Sequence, residues 1–123
     1  MNGEPLLVLL VEDNPDHAEL VMRSLGEHHV VNRIMHVSDG QVALDYLLRQ
    51  GAFQDPVSSP RPHVILLDLR LPRVDGLQVL QTLKETESLR QIPVVILTTS
   101  EAEQDIVRAY RSHANSYLVK PIG

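Results

Sequence analysis

The chain alternates short, uninterrupted runs of branched apolar residues with longer stretches in which apolar positions repeat at helical spacing. The two clearest apolar runs cover residues 6–11 and 64–67. Strands that are apolar on both faces are typical of a parallel sheet with helices packed on each side. The pattern therefore predicts an α/β fold in which strands and helices alternate.

This alternation sets the order of the predicted elements. Strands are predicted over 6–11, 33–37, 64–67, 93–97 and 116–119, and helices over 15–26, 40–50, 76–87 and 101–112. Because crossovers between parallel strands are right-handed, the leading topology is a doubly wound, five-stranded parallel sheet of order 2-1-3-4-5. Residues 33–37 mix polar and apolar side chains, as an edge strand does, and the proline-bearing segment 51–63 is expected to be a surface loop.

Several helix ends are marked in the sequence. Asn14 is expected to cap the first helix, in which Ala18 and Val21 belong to the apolar face. Residues 100–103 have the Ser-x-x-Glu pattern of a capping box and are expected to open the fourth helix.

Acidic residues follow two of the predicted strands. Glu12 and Asp13 come directly after the first strand, and Asp68 comes directly after the third. Because the carboxyl ends of parallel strands meet at one edge of the sheet, these carboxylates are expected to lie together. Their repulsion would amount to several kcal/mol unless a cation joined them. Since Mg2+ prefers carboxylate oxygens, the sequence predicts a Mg2+ site at this edge.

Composition narrows the possible functions. A chain of 123 residues is long enough for one domain with a core and too short for two. The absence of cysteine excludes disulfides, thiolate zinc sites and thiol nucleophiles. A net charge of −5 argues against a general nucleic-acid or anionic-membrane surface and favours proteins and cations as partners. With no basic leader and no long apolar run, a cytoplasmic protein is expected.

A set of residues placed after successive strands carries a family resemblance. The set comprises Glu12-Asp13, Asp68, the loop 71–76, Thr98 and the segment 117–121. In this order the residues resemble a bacterial response-regulator receiver domain with a flavodoxin-like fold, over nearly the whole of residues 1–123. Segments 11–17, 51–63 and 97–101 resemble, more narrowly, the single-domain regulators paired with phytochrome-type histidine kinases.

The resemblance implies a two-component phosphorelay in which Asp68 takes a phosphoryl group from a phosphohistidine of a sensor histidine kinase. Asp13, Asp68 and the backbone carbonyl of Arg70 would bind Mg2+, and Glu12 would act through water. The metal would neutralise the carboxylates and hold phosphoryl oxygens. Such a receiver assists its own phosphorylation and dephosphorylation but is not a general turnover enzyme.

The resemblance also implies roles for residues at the ends of the fourth and fifth strands. Lys120 would contact one phosphoryl oxygen and the Thr98 hydroxyl another, although the residues alone do not choose between Thr98 and its neighbour Thr99. Tyr117 stands at the position of an aromatic switch that turns inward on phosphorylation. The peptide bond between Lys120 and Pro121 is implied to be cis.

Each of these residues also has an ordinary structural interpretation. An acidic pair after a strand is more often a solvated loop or a helix cap, Lys120 can be surface charge, and Tyr117 can be core packing. The six histidines lack metal-ligand spacing and are interpreted as surface residues.

Other functional classes fit the pattern less well. A haloacid-dehalogenase type of phosphohydrolase needs a second acid two residues after its aspartyl nucleophile, where this chain has Arg70. A flavodoxin-like cofactor site cradles phosphate, which Glu12 and Asp13 would repel. The main alternative is a degenerate receiver that acts as a phosphorylation-independent binding module, and the retained Asp68 and Lys120 count against it.

Two features depart from the family pattern. His113 stands where receivers usually have glycine, which carries a backbone cost if the residue is left-handed. The chain ends at Gly123, before the fifth helix of a receiver, so part of one sheet face is expected to be bare. Either the natural protein continues past Gly123, which we favour, or a neighbouring molecule covers this face. We expect a homodimer through the side formed by the fourth helix and fifth strand. Output is expected through an unidentified downstream protein, without direct nucleic-acid or membrane contact.

Overall fold

The computed structural model describes residues 6–27, 33–99, 111 and 113–121. The strands are β1 (Leu7–Val11), β2 (Arg33–Val37), β3 (Val64–Asp68), β4 (Val94–Thr98) and β5 (Ser116–Val119). The helices are α1 (Pro15–Glu27), α2 (Gly40–Leu48) and α3 (Gly76–Glu85), with a short 3-10 helix at Gly51–Phe53. The predicted helix over 101–112 and its capping box lie outside the described residues, apart from Arg111.

The five strands form one parallel sheet in the order β2-β1-β3-β4-β5, as predicted. Strands β3 and β4 each extend one residue beyond the predicted end. As a result, Asp68 is the last residue of β3 and lies in register with Leu97 of β4. The strand pairing therefore holds the Cα of Asp68 in place at the carboxyl edge of the sheet.

Apolar side chains cover both faces of the sheet, which confirms the interpretation of continuous apolar runs. The larger cluster includes Leu9, Ile65 and Leu67 from the strands, together with side chains from α2 and α3. The smaller cluster packs Ala18 and Val21 of α1 against the opposite face. Alternate strand residues therefore enter different clusters, as the pleat of a strand requires.

The helix ends follow local hydrogen bonding. Asn14 caps α1 as predicted, because its Oδ1 accepts the backbone N–H groups of Asp16 at 2.9 Å and His17 at 3.2 Å. Helices α2 and α3 are shorter than the predicted 40–50 and 76–87. Helix α2 ends at Leu48 because Arg49 adopts a left-handed φ of 55°.

Two backbone expectations at the carboxyl end of the described chain have different outcomes. His113 has a φ of 69°, so it is left-handed and carries the backbone cost that the sequence analysis attached to that conformation. The predicted cis bond before Pro121 is wrong, because the described residues contain no cis peptide bond. A trans bond is the more stable isomer before proline by about 0.5–1 kcal/mol, and it does not prevent Lys120 from reaching the site described below.

The long loop after α2 is held to the domain by side-chain hydrogen bonds. The Tyr46 hydroxyl donates to the Pro60 carbonyl at 2.6 Å, and the Arg61 guanidinium donates to the Leu47 carbonyl. Burial raises the pKa of Tyr46, so its hydroxyl remains a donor at neutral pH. The segment 51–63 is a surface loop as predicted, and these two hydrogen bonds attach its second half to α2.

Apolar side chains remain accessible at the β5 side of the sheet. Leu118 is 50% exposed and Val119 is 45% exposed. They border a shallow groove whose other walls include Val21, Leu25 and Leu97. Within the described ranges, no helix is long and apolar enough to cross a membrane.

A charged contact joins the β2–α2 turn to the loop after β3. Asp39 caps α2 by accepting the Val42 N–H at 2.8 Å, and Arg73 donates to both of its carboxylate oxygens at 3.1 and 3.0 Å. The two segments also pack closely, because a Cβ added to Gly40 would lie 1.7 Å from the Val74 carbonyl oxygen. The ion pair and the close packing together hold the loop that follows Asp68 against the β2–α2 turn.

We predict that Asp39→Asn weakens the fold in a pH-dependent way. Burial opposes ionisation of Asp39, but the Val42 and Arg73 hydrogen bonds outweigh it and lower the pKa of the carboxyl. A carboxyl group whose pKa is lower in the folded state than in the unfolded state stabilises the fold at pH values above its unfolded-state pKa of about 3.9. This contribution is lost as the pH falls through the folded-state pKa. The wild type should therefore exceed the variant in unfolding free energy by about 0.2–1 kcal/mol at neutral pH.

Urea unfolding across a pH series from neutral towards the folded pKa measures this difference. Asp75→Asn is the matched control, because Asp75 caps α3 through Gln78 and forms no ion pair with the described residues. A difference for Asp39→Asn that persists unchanged at the acid end would contradict the ion-pair explanation.

Candidate functional site

The predicted carboxylates meet at the carboxyl edge of the sheet. Glu12 follows β1, Asp68 ends β3, and one oxygen from each of Glu12, Asp13 and Asp68 lies within 4.8 Å of the others. Glu12 is fully buried, Asp68 is 7% exposed and Asp13 is exposed. The site therefore has two buried carboxylates and one that faces solvent.

Backbone contacts hold the two buried carboxylates in place. The Glu12 N–H donates to the Val37 carbonyl at 3.1 Å, and the Asn14 N–H donates back to Glu12 Oε2 at 3.1 Å. Asp68 Oδ1 accepts the Arg70 N–H at 2.9 Å. Gly76 allows the start of α3 to approach this loop, because a Cβ there would lie 2.3 Å from the Asp68 carbonyl oxygen.

Lys120 is the internal cation of the cluster. Its Nζ lies 2.5 Å from Glu12 Oε1 and 2.9 Å from Asp68 Oδ2, and its side chain is only 3% exposed. The Lys120 N–H donates to the Thr98 carbonyl at 2.7 Å, which fixes where the side chain starts. The interpretation of Lys120 as surface charge is therefore excluded.

The charges in the cluster are strongly interdependent. Burial raises the pKa of Glu12, and the nearby charge of Asp68 acts in the same direction against the lowering effect of Lys120. Burial alone would lower the pKa of Lys120, but its hydrogen bonds to Glu12 and Asp68 more than offset that effect, and the pKa is raised. Lys120 is thus a permanent cation at neutral pH.

The donor set suits a hard divalent cation. Three carboxylates within 4.8 Å supply the oxygen ligands that Mg2+ and Mn2+ prefer. Lys120 contacts both Glu12 and Asp68, so these contacts do not choose the direct ligands, and the assignment of Asp13 and Asp68 as ligands remains a prediction. The roles predicted for the Arg70 carbonyl and for Glu12 acting through water remain predictions.

The cluster forms the floor of a cleft of about 270 Å³. Thr98 and Thr99 both line this cleft, as do Arg70, Asn14 and His17. Thr98 is half-buried at the end of β4 and Thr99 is exposed after it. The choice between the two hydroxyls therefore remains a prediction in favour of Thr98.

Tyr117 lies on β5, where it is half-buried and packs against the larger apolar cluster. Its register partner on β4 is Ile96. This placement agrees with the core-packing interpretation of the residue. A second, inward position on phosphorylation remains a prediction.

Two histidines also contact the groups of this site. His17 is half-buried with Nδ1 3.2 Å from Lys120 Nζ, and His36 Nε2 lies 2.8 Å from the Glu12 carbonyl oxygen. Their interpretation as surface residues is wrong for these two positions. His17 belongs to segment 11–17, which carries the narrower family resemblance, but no local pattern marks its side chain as part of the site.

The sequence profile of the family described as "Response regulator receiver domain" matches residues 8–123. The match therefore includes every predicted site residue, from Glu12 to Lys120.

Three solved structures illustrate the similarity. Bacteriophytochrome response regulator RtBRR is 44% identical with a TM-score of 0.86, and the match covers 97% of this chain and 71% of that one. The Mn(2+)-bound form of Rcp1, a response regulator known from Synechocystis, is 39% identical with a TM-score of 0.84 and coverages of 97% and 84%. Phosphorylated cyanobacterial phytochrome response regulator RcpA is 38% identical with a TM-score of 0.85 and coverages of 94% and 81%. One similar protein thus holds a divalent metal and another holds a phosphoryl group.

Proposed function

This chain belongs to the response regulator receiver family of two-component signalling, and from that premise we propose that Asp68 is the residue that accepts the phosphoryl group. The observation that carries the proposal is the environment of Asp68. Its carboxylate ends a central strand, lies with Glu12 and Asp13, and has a buried lysine 2.9 Å from Oδ2. An accessible cleft adjoins it. A receiver is a signalling module and not a metabolic enzyme.

The proposed reaction is phosphoryl transfer from a histidine of a sensor kinase. A carboxylate oxygen of Asp68 attacks phosphorus while the bond from phosphorus to the histidine nitrogen breaks. The electron pair of that bond stays on the imidazole, and Asp68 becomes an acyl phosphate. Because the transferred group carries negative charge, catalysis depends chiefly on positioning and on neutralising oxygens.

We assign the resident ion as Mg2+, held by Asp13, Asp68 and the Arg70 carbonyl, with Glu12 acting through water. When bound, such an ion neutralises carboxylates and phosphoryl oxygens. The clustering of Glu12, Asp13 and Asp68 within 4.8 Å supports this assignment. Binding of Mn2+ by Rcp1 supports a divalent ion of this size class.

Lys120 and Thr98 would contact two further phosphoryl oxygens. Lys120 is suited to this role because its ammonium already lies against Asp68, so a short movement brings it to a group on that carboxylate. Thr98 ends the neighbouring strand and lines the same cleft. A movement of Thr98 towards the phosphoryl group would shift the end of β4. Because β4 pairs with β5, this shift would reach Tyr117, which would act as the switch.

The proposed upstream partner is a histidine kinase of the phytochrome type, on the strength of the similarity to RtBRR and RcpA. The proposed output is through protein contacts, including a homodimer on the β5 side. The exposed Leu118 and Val119 on that strand support an interface there. No downstream protein is identified by these observations.

We predict that phosphorylation requires a divalent ion. Incubation of the chain with a small phosphodonor such as acetyl phosphate and Mg2+ should add one phosphoryl group, seen as an increase in intact mass. Mn2+ should substitute, and addition of EDTA should prevent the increase, because the clustered carboxylates then repel the donor. An unchanged mass with Mg2+ and donor would instead favour a binding module that is never phosphorylated.

A further inference from the structure

The ammonium of Lys120 has a third contact besides the two carboxylates. His17 Nδ1 lies 3.2 Å from Lys120 Nζ, although the residues are 103 positions apart. His17 comes from the first turn of α1, whereas the other two contacts come from the ends of β1 and β3. The three donors of one ammonium group are therefore matched by three acceptors from separate elements.

The direction of this hydrogen bond identifies the state of the histidine. A lysine ammonium can only donate, so Nδ1 of His17 must be the acceptor and carry no proton. His17 is then a neutral imidazole with its proton on Nε2. A doubly protonated ring would place two cations 3.2 Å apart.

The neutrality of this third acceptor has a consequence for the reaction. Among the described residues, the charged groups that line the same cleft are Glu12, Asp13, Asp68, Arg70 and Lys120. A third carboxylate on the ammonium would compete with an incoming phosphoryl oxygen for the positive charge. A neutral imidazole orients the ammonium, but it competes with the phosphoryl oxygen for the positive charge less than a carboxylate would.

We propose that His17 is a positioning residue for phosphoryl transfer, which holds the Lys120 ammonium at the floor of the cleft, beside Asp68. The inference rests on the proposed function of Asp68 and Lys120 and adds a residue of α1 to it. Without this contact, the ammonium is drawn between Glu12 and Asp68 alone. It then has farther to move when the phosphoryl group arrives.

Two substitutions separate the acceptor from the bulk of the side chain. His17→Leu has a comparable volume but no acceptor, whereas His17→Asn places an amide oxygen near the position of Nδ1. With Mg2+ and a range of acetyl phosphate concentrations, H17L should lower the maximal phosphorylation rate about tenfold, the effect of one lost hydrogen bond to a charged group. The half-saturating donor concentration should stay the same, and H17N should restore most of the rate.

His63→Leu is the matched control. His63 accepts the Leu7 N–H at 2.9 Å through Nδ1, at the other end of β1 from the cleft. This variant should lower the thermal unfolding temperature without changing the phosphorylation rate, so a general loss of stability is distinguished from an effect on the site.

The outcomes separate the two proposals. If the wild type gains no phosphoryl group, the function proposed for Asp68 fails, and the role of His17 fails with it. If the wild type is phosphorylated and H17L matches its rate, only the role of His17 is overturned. Equal losses in H17L and H17N would also overturn it, because the restored acceptor would then be irrelevant.

Discussion

Asp68→Asn should abolish phosphoryl uptake while the domain remains folded. The amide is nearly isosteric with the carboxylate but is a poor nucleophile, so no acyl phosphate can form. Lys120 still has Glu12 as an ionic partner 2.5 Å away, so the buried ammonium is not left unpaired. Removal of one clustered negative charge also relieves repulsion among the carboxylates when no metal is bound. Intact-mass measurement after incubation with donor and Mg2+ tests the chemistry, and urea unfolding tests the fold.

Asp75→Asn provides the control for this experiment. Asp75 belongs to the same loop and has the same chemistry, but it is exposed and caps α3 through Gln78. This variant should gain one phosphoryl group as the wild type does. A phosphorylated Asp68→Asn protein would move the acceptor to another residue and remove the basis of the assignment.

Lys120→Met should affect both stability and phosphorylation. Glu12 is fully buried and Asp68 nearly so, and the variant leaves both without their cation. Removing one partner of a buried ion pair costs about 3–5 kcal/mol of unfolding free energy, because an uncompensated charge remains in the interior. Loss of a group that stabilises charge in the transition state lowers rates by about 10²–10³-fold. Urea unfolding in EDTA measures the first effect, and the rate of mass increase with Mg2+ measures the second.

A second substitution separates these two effects. In the double variant Glu12→Gln with Lys120→Met, the fully buried side chain at position 12 is neutral while Asp68 still lacks its cation, so part of the lost unfolding free energy should return. The phosphorylation rate should stay low because the ammonium is still absent. A Lys120→Met protein as stable as the wild type in EDTA would show that the lysine does not balance the buried charge.

The fold could be predicted from the sequence because its main signals are local. Continuous apolar runs such as 64–67 identify buried strands, and their spacing with helical segments allows few topologies. The observed order β2-β1-β3-β4-β5 confirms that prediction. The predicted end of a helix was wrong where one residue with an unusual backbone conformation ends the helix, as Arg49 does. Helix propensity changes gradually along the chain, so it does not identify that single residue.

The candidate site was predicted in part, because local signals also identify the strand ends at which its carboxylates lie. Glu12, Asp13 and Asp68 follow strands whose ends must meet, so their clustering followed once the topology was known. Lys120 was expected to contact a phosphoryl oxygen, but its ion pairs with Glu12 and Asp68 were not foreseen. The sequence indicated that the carboxylates need a cation, and the fold supplies one from the chain itself.

The sequence by itself determined the order of the strands, the caps at Asn14 and the meeting of the acidic residues at one edge. The tertiary structure alone decided that Lys120 is buried among them, that His17 is its third acceptor and that Arg73 pairs with Asp39. Local patterns extend over a turn or a strand, so they identify elements and their ends. Pairs separated by 103 positions, as His17 and Lys120 are, depend on how the packed elements orient their side chains, and no local pattern contains that information.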